Sequence, residues 1–561
     1  MRVETPATGF LPTSLGSIEI DGERLHFRSK YNRNLIEQIK RLGMSIKRNK
    51  DGKFLYWHAK TSKMFLNKFV ETFPEFGPQF PGVGYPKPDY SSYAVSSYLL
   101  KHQLKASRIG VNHPRFAYFH GIGSGKTLVG LEMIKQKRVR TLVLCPLSVI
   151  EDAWLGDRGD IQKFAPEIEA VNLWALKQKS KSASGFRAYR EGLYESPVVI
   201  INYESFLTIK DDLLQAGFQM LIIDESARLK DGRRKTTKAV LEFADEMDYC
   251  YPLSGLPAPN SELEYFNQVN CIDPMLFGRS FTLFKDEFFY TYGYGGFKWA
   301  MKQEKRQEFL EKLATIADFV RPEDVMDLPE PVHSIRRIHL DIKEREAYRA
   351  MARELYIKLG DKEIVAGNAA IKLMKLREGT SGFYYYLEEE DGKKEPTRKE
   401  ILVGTSKLNE LSMLLPELGG YQAIIWTHFL PEAERIQTLM VDQGYSWSRV
   451  DGTVAKSDRP EIIHRFQDGL TQFLIAHPKS IGHGNRLENC QYAIYFSLSE
   501  SYEQYDQSMR RILRRGQENQ CKFFYLIADH TVDEKILETL ERKGNVAEAV
   551  VDYIRENHGE R

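Results

Sequence analysis

The sequence predicts an α/β protein with two parallel-sheet lobes, helical insertions and a small basic α+β domain at its N-terminal end. Three observations carry this. Short apolar runs alternate with helix-like spacers in two separate stretches, the pattern of parallel sheets covered by helices. A glycine-rich turn, FHGIGSGKT at 119–127, follows an apolar run and opens a helix-like segment. Thirteen lysines and arginines crowd residues 24–68, against only Glu37 and Asp51. At 561 residues the chain exceeds a single core. The expected domains are 1–80, a basic unit, then 81–330 and 331–561, the two lobes.

The composition, 42% hydrophobic and 28% charged, is that of an ordinary globular protein. No apolar run approaches the roughly 20 residues of a membrane helix. MRVETPATGF at the start lacks the apolar core of a signal peptide, so an intracellular protein is expected. Cys145, Cys250, Cys271, Cys490 and Cys521 are scattered, odd in number and without a CxxC pair, which points to reduced thiols and away from structural zinc. A net charge of +2 says nothing about nucleic acid, but its distribution does.

In the basic stretch Leu35, Ile36, Ile39 and Leu42 recur at helical spacing, KDGK at 50–53 makes a turn, and Phe54, Tyr56 and Trp57 suit a strand. A small βαβ-type or hairpin-and-helix unit is expected, with the charge of a polyanion-binding surface. A solvated basic face without a partner would look the same. Pro78, Pro81, Pro86 and Pro88, with Gly77, Gly82 and Gly84, mark a linker.

The glycine-rich turn is a phosphate site. Gly123 and Gly125 let the backbone approach an anion, and the helix behind them offers unpaired N–H groups. Lys126 supplies a point charge, and the Thr127 hydroxyl can hold Mg²⁺. His120 stands where the usual GxxxxGKT spacing begins with glycine. TLVLCP at 141–146 and VVIIN at 198–202 are strand runs, and a third strand at 220–223 ends in Asp224-Glu225. Two carboxylates there can divide the work: Asp224 holds Mg²⁺ and Glu225 polarises the water that attacks a γ-phosphate. LSGLPAPN at 253–260 is a turn-rich loop, a place for a relay between nucleotide and polymer. Residues 271–331 read as a helical insertion and 388–399 as a solvated loop.

The last third carries strand candidates at 423–426, 473–476, 492–496 and 523–527. Between the last two lies QSMRRILRRGQ at 507–517. Arginines at i and i+3 share a helical face, so Arg511 and Arg514 can act together as the charge-quenching groups of phosphoryl transfer. Arg510 and Arg515 are assigned to solvent or nucleic acid.

In order, these motifs resemble the Swi/Snf-type branch of the superfamily 2 helicases and translocases, from about residue 98 to 549. HQ at 102–103 resembles the adenine-reading glutamine motif, and HGIGSGKT resembles motif I. LVLCPLSVIEDAW and VVIINYESF are similar to motifs Ia and Ib, LIIDESARLK to a DEAH-like motif II, and LSGLPAPN to motif III. The resemblance extends through SKLNELSMLL, DGTVAKSDRPEIIHRFQDG and HPKSIGHGNRLENCQ to QSMRRILRRGQ. It implies two RecA-like lobes and ATP with Mg²⁺ as cofactors. It makes Gln103, Gly121, Gly123, Ser124, Gly125, Lys126 and Thr127 nucleotide-binding, Thr127 and Asp224 metal-holding, and Lys126, Asp224, Glu225, Arg511 and Arg514 catalytic. The implied partner is duplex or branched DNA held without sequence preference by a monomer. An RNA helicase of the same superfamily, an ATP-gated nucleic-acid clamp and the motor subunit of a defence system remain alternatives. HPKSIGHG is most like compact bacteriophage helicases, which would place the protein in a bacterial host cytoplasm. The basic N-terminal unit is similar to the HARP-type domain of annealing helicases, which binds branched DNA. Departures from the branch are His120 in place of an acid, Ser226-Ala227 in place of Ala-His, and Gly-Asn-Arg-Leu at 484–487 in place of Gly-Leu-Asn-Leu.

Overall fold

Apolar runs of about five residues, closed by proline, asparagine or aspartate, become the central strands of two large sheets. The computed structural model describes residues 11–558 apart from 13–14, 22–23, 30–31, 43, 49–53, 81–82, 84–93, 158, 293–297, 355, 360–361, 366–368, 389–396, 456 and 482–486. The chain forms two compact units, Met1–Arg321 with Ala547–Arg561, and Pro322–Val546.

The first unit begins with strands Leu11–Pro12 (β1), Gly16–Asp21 (β2), Arg24–Ser29 (β3), Ser45–Arg48 (β4) and Phe54–Lys60 (β5), an antiparallel sheet ordered β1-β2-β3-β5-β4. Helix α1, Arg33–Arg41, starts on Asn32, whose side chain accepts the amides of Asn34 and Leu35. Helix α2, Lys63–Thr72, starts on Ser62 in the same way. Both lay their apolar stripes on one face of the sheet, where Leu35, Ile39, Phe65 and Phe69 meet Leu25, Phe27 and Trp57. Lys63 reaches the buried Asp248 at 2.6 Å and Lys68 reaches Asp273 at 3.3 Å, tying this domain to the larger sheet of the same unit.

That larger sheet contains Ala117–His120 (β6), Thr141–Cys145 (β7), Ala170–Asn172 (β8), Val198–Asn202 (β9), Met220–Asp224 (β10) and Tyr249–Leu253 (β11). A hairpin, Phe289–Tyr292 (β12) with Lys298–Met301 (β13), precedes the edge strand Ala317–Val320 (β14). The order is β14-β6-β11-β10-β7-β9-β8, all parallel. Apolar clusters lie on both faces, which is why the strand runs are continuously apolar rather than alternating.

In the second unit Val332–Ile338 (β15) precedes two hairpins, Tyr356–Leu359 (β16) with Lys362–Val365 (β17) and Phe383–Glu388 (β18) with Thr397–Leu402 (β19). Ala423–Trp426 (β20), Trp447–Val450 (β21), Phe473–Ala476 (β22), Tyr492–Tyr495 (β23) and Lys522–Ala528 (β24) complete a parallel sheet ordered β15-β24-β23-β20-β22-β21. The expected pair of parallel-sheet lobes with a small α+β domain is the architecture observed.

Several local expectations change. The insertion at 271–331 is not wholly helical, because β12 and β13 interrupt it and Ala317 opens β14 rather than closing a helix. Helix Gln303–Ala314 stops before Thr315 and Ile316, and β14 then pairs with β6. Of the loop expected at 388–399, the ends belong to β18 and β19 and the middle lies outside the described residues. The KDGK turn, most of the proline-rich linker and Gly484 to Arg486 also lie outside them, whereas Gly77 and Pro78 belong to the 3-10 helix Pro74–Gln79. All five cysteines are free and buried. Among the described residues no helix is long and apolar enough to cross a membrane.

Candidate active site

Strand β6 ends at His120, and the chain turns through Gly121 to Gly125 into helix α4, Lys126–Lys137. The turn needs its glycines: Gly123 and Gly125 have φ of 89° and 80°, where a Cβ is strained. A Cβ on Gly125 would also lie 2.3 Å from Gln103 Nε2. Ser124 tightens the turn, its hydroxyl donating to the Gly121 carbonyl at 2.7 Å. Helix α3, Lys101–Asn112, braces it from outside: Gln103 Nε2 donates to the Ser124 carbonyl at 2.9 Å and His102 Nε2 does so at 2.8 Å. Gln103 is buried, and its Oε1 accepts from the Leu100 amide.

Asp224 is the last residue of β10 and is buried, with both carboxylate oxygens held. Oδ1 accepts from the Glu225 amide at 3.0 Å, and Oδ2 accepts from the Trp154 indole Nε1 at 3.0 Å. Burial raises its carboxyl above the usual carboxylate range and neighbouring Glu225 pushes the same way, while Lys126 and the Trp154 hydrogen bond oppose them. Glu225, half-buried, has left-handed φ of 55°. Tyr203, at the start of the helix after β9, donates its hydroxyl to the Asp224 carbonyl at 2.8 Å and the Glu225 carbonyl at 3.4 Å, holding that uncommon backbone conformation.

The loop after β11 closes the cradle. A Cβ on Gly255 would stand 3.0 Å from Lys126 Nζ, so the lysine lies directly against this loop. Ser254 Oγ is buried there and bonds to no group among the described residues. Ser226 donates to Gln268 Oε1 at 2.8 Å, and Gln268 Nε2 donates to the Pro257 carbonyl at 2.7 Å. The Ser226 departure thus forms a bonded path from the carboxylate pair to the proline-rich loop. The cradle suits a nucleoside triphosphate with a hard divalent cation: it offers left-handed glycines, a helix N-terminus, an ammonium, and the hydroxyl and carboxylate oxygens of Thr127 and Asp224.

His120 is fully buried and bonds Asp318 Oδ2 on β14 at 2.8 Å, while Lys105 of α3 reaches Asp318 Oδ1 at 3.2 Å. The residue that replaces the usual P-loop glycine therefore pins the turn to the edge strand. Neither this cluster nor Trp154 and Tyr203 stand out individually in sequence. Trp154 and Tyr203 fall inside motif stretches, and an aromatic after an apolar run reads as core.

In the second unit, helix Tyr502–Met509 ends before the arginines. Arg511 and Arg514 therefore do not share a helical face; they lie on successive turns, Arg511 buried and Arg514 half-buried. The turns are pinned by the Leu487 amide on the Arg511 carbonyl at 3.1 Å and by Gln517 Nε2 on the Cys490 carbonyl at 2.9 Å. Arg510, assigned to solvent or nucleic acid, is half-buried and engaged within its unit: it pairs with buried Asp506 at 2.8 Å and with Glu323 at 3.0 Å. Arg515 is exposed.

Fold and site together define a P-loop ATPase built on parallel sheets. The chain belongs to the SNF2-related family: the SNF2-related domain matches residues 100–390, and the helicase conserved C-terminal domain matches 406–516. It is accordingly an ATP hydrolase. Protein p41 of Acyrthosiphon pisum secondary endosymbiont phage 1 is 25% identical over 78% of this chain and 94% of its own. The Saccharomyces cerevisiae ISWI chromatin-remodeling complex ATPase ISW1 is 23% identical over 77% of this chain, which spans only 38% of that protein. The Homo sapiens DNA repair and recombination protein RAD54-like is 23% identical over 77% of this chain, which spans 62% of it. The solved Sulfolobus solfataricus SWI2/SNF2 ATPase core in complex with dsDNA aligns over 83% of this chain and 95% of its own, at 19% identity and a TM-score of 0.37.

Proposed function

We propose that this ATP hydrolase is a DNA translocase, which moves on or remodels duplex or branched DNA. The observation that carries the reading is the cradle itself, with Lys126, the buried Asp224 and the 253–260 loop joined at the carboxyl ends of central strands. Gly121, Gly123, Ser124 and Gly125 wrap the phosphates, Lys126 holds the γ end, and Gln103 on α3 would exchange its bond to the Ser124 carbonyl for the adenine edge. Thr127 and Asp224 would hold Mg²⁺, which would supply neutralisation of the phosphate charge. Glu225 orients the attacking water, and Arg511 and Arg514 of the second unit stabilise charge in the transition state. The Ser226–Gln268–Pro257 path carries the state of the nucleotide into the proline-rich loop. Residues 81–330 and 331–561 act as the two motor lobes, and residues 1–80 as an added DNA-binding domain. Grip on phosphates makes the motion indifferent to sequence.

The test is ATPase stimulation by duplex DNA, single-stranded DNA and RNA, together with displacement of a triplex-forming strand. Duplex DNA is expected to stimulate most and the third strand to be displaced. Lys126→Ala and Glu225→Gln are expected to abolish both, with Glu225→Gln still binding nucleotide. Normal turnover in both variants would sink the mechanism, and ATPase without triplex displacement would reduce the protein to a clamp.

A further inference from the structure

We infer that the outer face of the N-terminal sheet is a stacking platform for single-stranded DNA, an inference that deepens the proposed DNA-binding role of residues 1–80. The pleat sorts the residues. Ile18, Leu25, Phe27 and Trp57 point into the core beneath α1 and α2, so their neighbours in sequence point outward. On that outer face the register sets His26 opposite His58, Arg24 opposite Lys60 and Lys47 opposite Tyr56. A bulge in β5 at Leu55 ends this register, and beyond it Phe54 turns to the core-side Trp57, ring centroids 5.8 Å apart.

The face is both aromatic and cationic. The His26 and Tyr56 rings stack across the strands with centroids 4.5 Å apart and planes 23° apart, and His58 meets both edge-on at 6.4 and 6.3 Å. All three are half-buried, while Arg24, Lys47 and Lys60 beside them are exposed. Arg24 bonds His58 Nδ1 at 3.1 Å. The His58 ring is held below its ordinary basicity by burial and then by the neighbouring Arg24, His26 and Lys47. The acids lie to one side: Glu19 pairs in register with His26, and Asp21 with Arg24, both on β2. The cationic strip therefore runs along β3, β5 and β4.

Rings amid cations on an open sheet fit unpaired bases. A single strand can lay its bases on such rings while its phosphates meet the lysines and arginines. A duplex keeps its base faces inside its own stack and would meet only the charges.

The experiment is fluorescence anisotropy of the full-length chain with a labelled thymidine oligodeoxynucleotide, against a duplex and an RNA strand of equal length. Tyr56→Ala and His26→Ala are expected to weaken the single strand roughly tenfold or more, the contribution of about one stacked base. Tyr56→Phe should bind as wild type. Lys47→Glu, on an exposed edge strand where folding is insensitive to it, should weaken the single strand and flatten its salt dependence. Wild-type affinity in Tyr56→Ala, equal losses for duplex and single strand, or a Tyr56-dependent preference for RNA would each overturn the inference. Failure of the translocase reading shows differently, as absent stimulation by duplex DNA in the wild type, and leaves this binding assay intact.

Discussion

The phosphate turn of the first unit and the arginine stretch of the second are two anion-binding parts of one proposed reaction, built on unlike scaffolds. The turn is a strand, five residues and a helix, in which φ at two glycines and bonds from Gln103, His102 and Ser124 fix the backbone. Arg511 and Arg514 follow the end of a short helix, on turns bonded to a neighbouring segment at Leu487 and Cys490. Anion-binding N–H groups must be aligned together, which a helix N-terminus does without side chains. A guanidinium brings its own donors on a long stem, so its backbone need not be regular.

The strongest way to break the comparison is to remove the arginines. Arg511→Ala and Arg514→Ala are each expected to lower kcat by about three orders of magnitude or more with little change in nucleotide affinity. Single-turnover phosphate release and nucleotide binding check this, and loss of binding in step with kcat would mean that the residues only shape the lobe. Arg510→Ala is the control from the same stretch. It strands the buried Asp506 carboxylate and should cost about 3 kcal/mol of stability, read by urea unfolding, while turnover per folded molecule stays near wild type.

On the other side, Trp154→Phe sharpens what fixes the turn's partner carboxylate. Phenylalanine keeps most of the packing and deletes the donor to Asp224 Oδ2, so a loss of about tenfold in kcat is expected, with a higher Mg²⁺ requirement. Equal Mg²⁺ titration curves for the two proteins would confine Trp154 to packing.

The two regions were also unequally legible. A phosphate turn is specified by a few contiguous residues, so GSGKT reveals it, and apolar runs such as VVIIN reveal β9 because both faces of that strand are buried. Edge strands betray themselves less. β21, WSRV, is half-buried and short, and β14 begins two residues after a helix ends. The geometry of the arginine pair was not legible: the i, i+3 spacing suggests a helix, which gives way at Arg510 to turns bonded to the distant residues Leu487 and Cys490. Trp154 was invisible as a site residue for the same reason, since its partner Asp224 lies 70 positions away.

The smallest expected effect concerns what holds the turn from behind. Asp318 on β14 is bonded by His120 and Lys105. Burial alone would raise its carboxyl, but the His120 hydrogen bond and charge together with Lys105 outweigh burial and hold it below its ordinary 3.8. A carboxylate with a depressed folded-state pKa contributes stability above its unfolded value, and that stability is lost as pH falls through the folded value. Lys105 is about one-third exposed, its side chain at 34%, so solvent screens the pair. Lys105→Ala should therefore cost about 1 kcal/mol or less at pH 7, and the gap from wild type should close as pH drops below about 4. Urea midpoints from pH 7 downward measure it. A gap that stays constant into acid would mean that Lys105 acts on α3 through packing of its stem, leaving His120 to anchor the turn to the sheet edge.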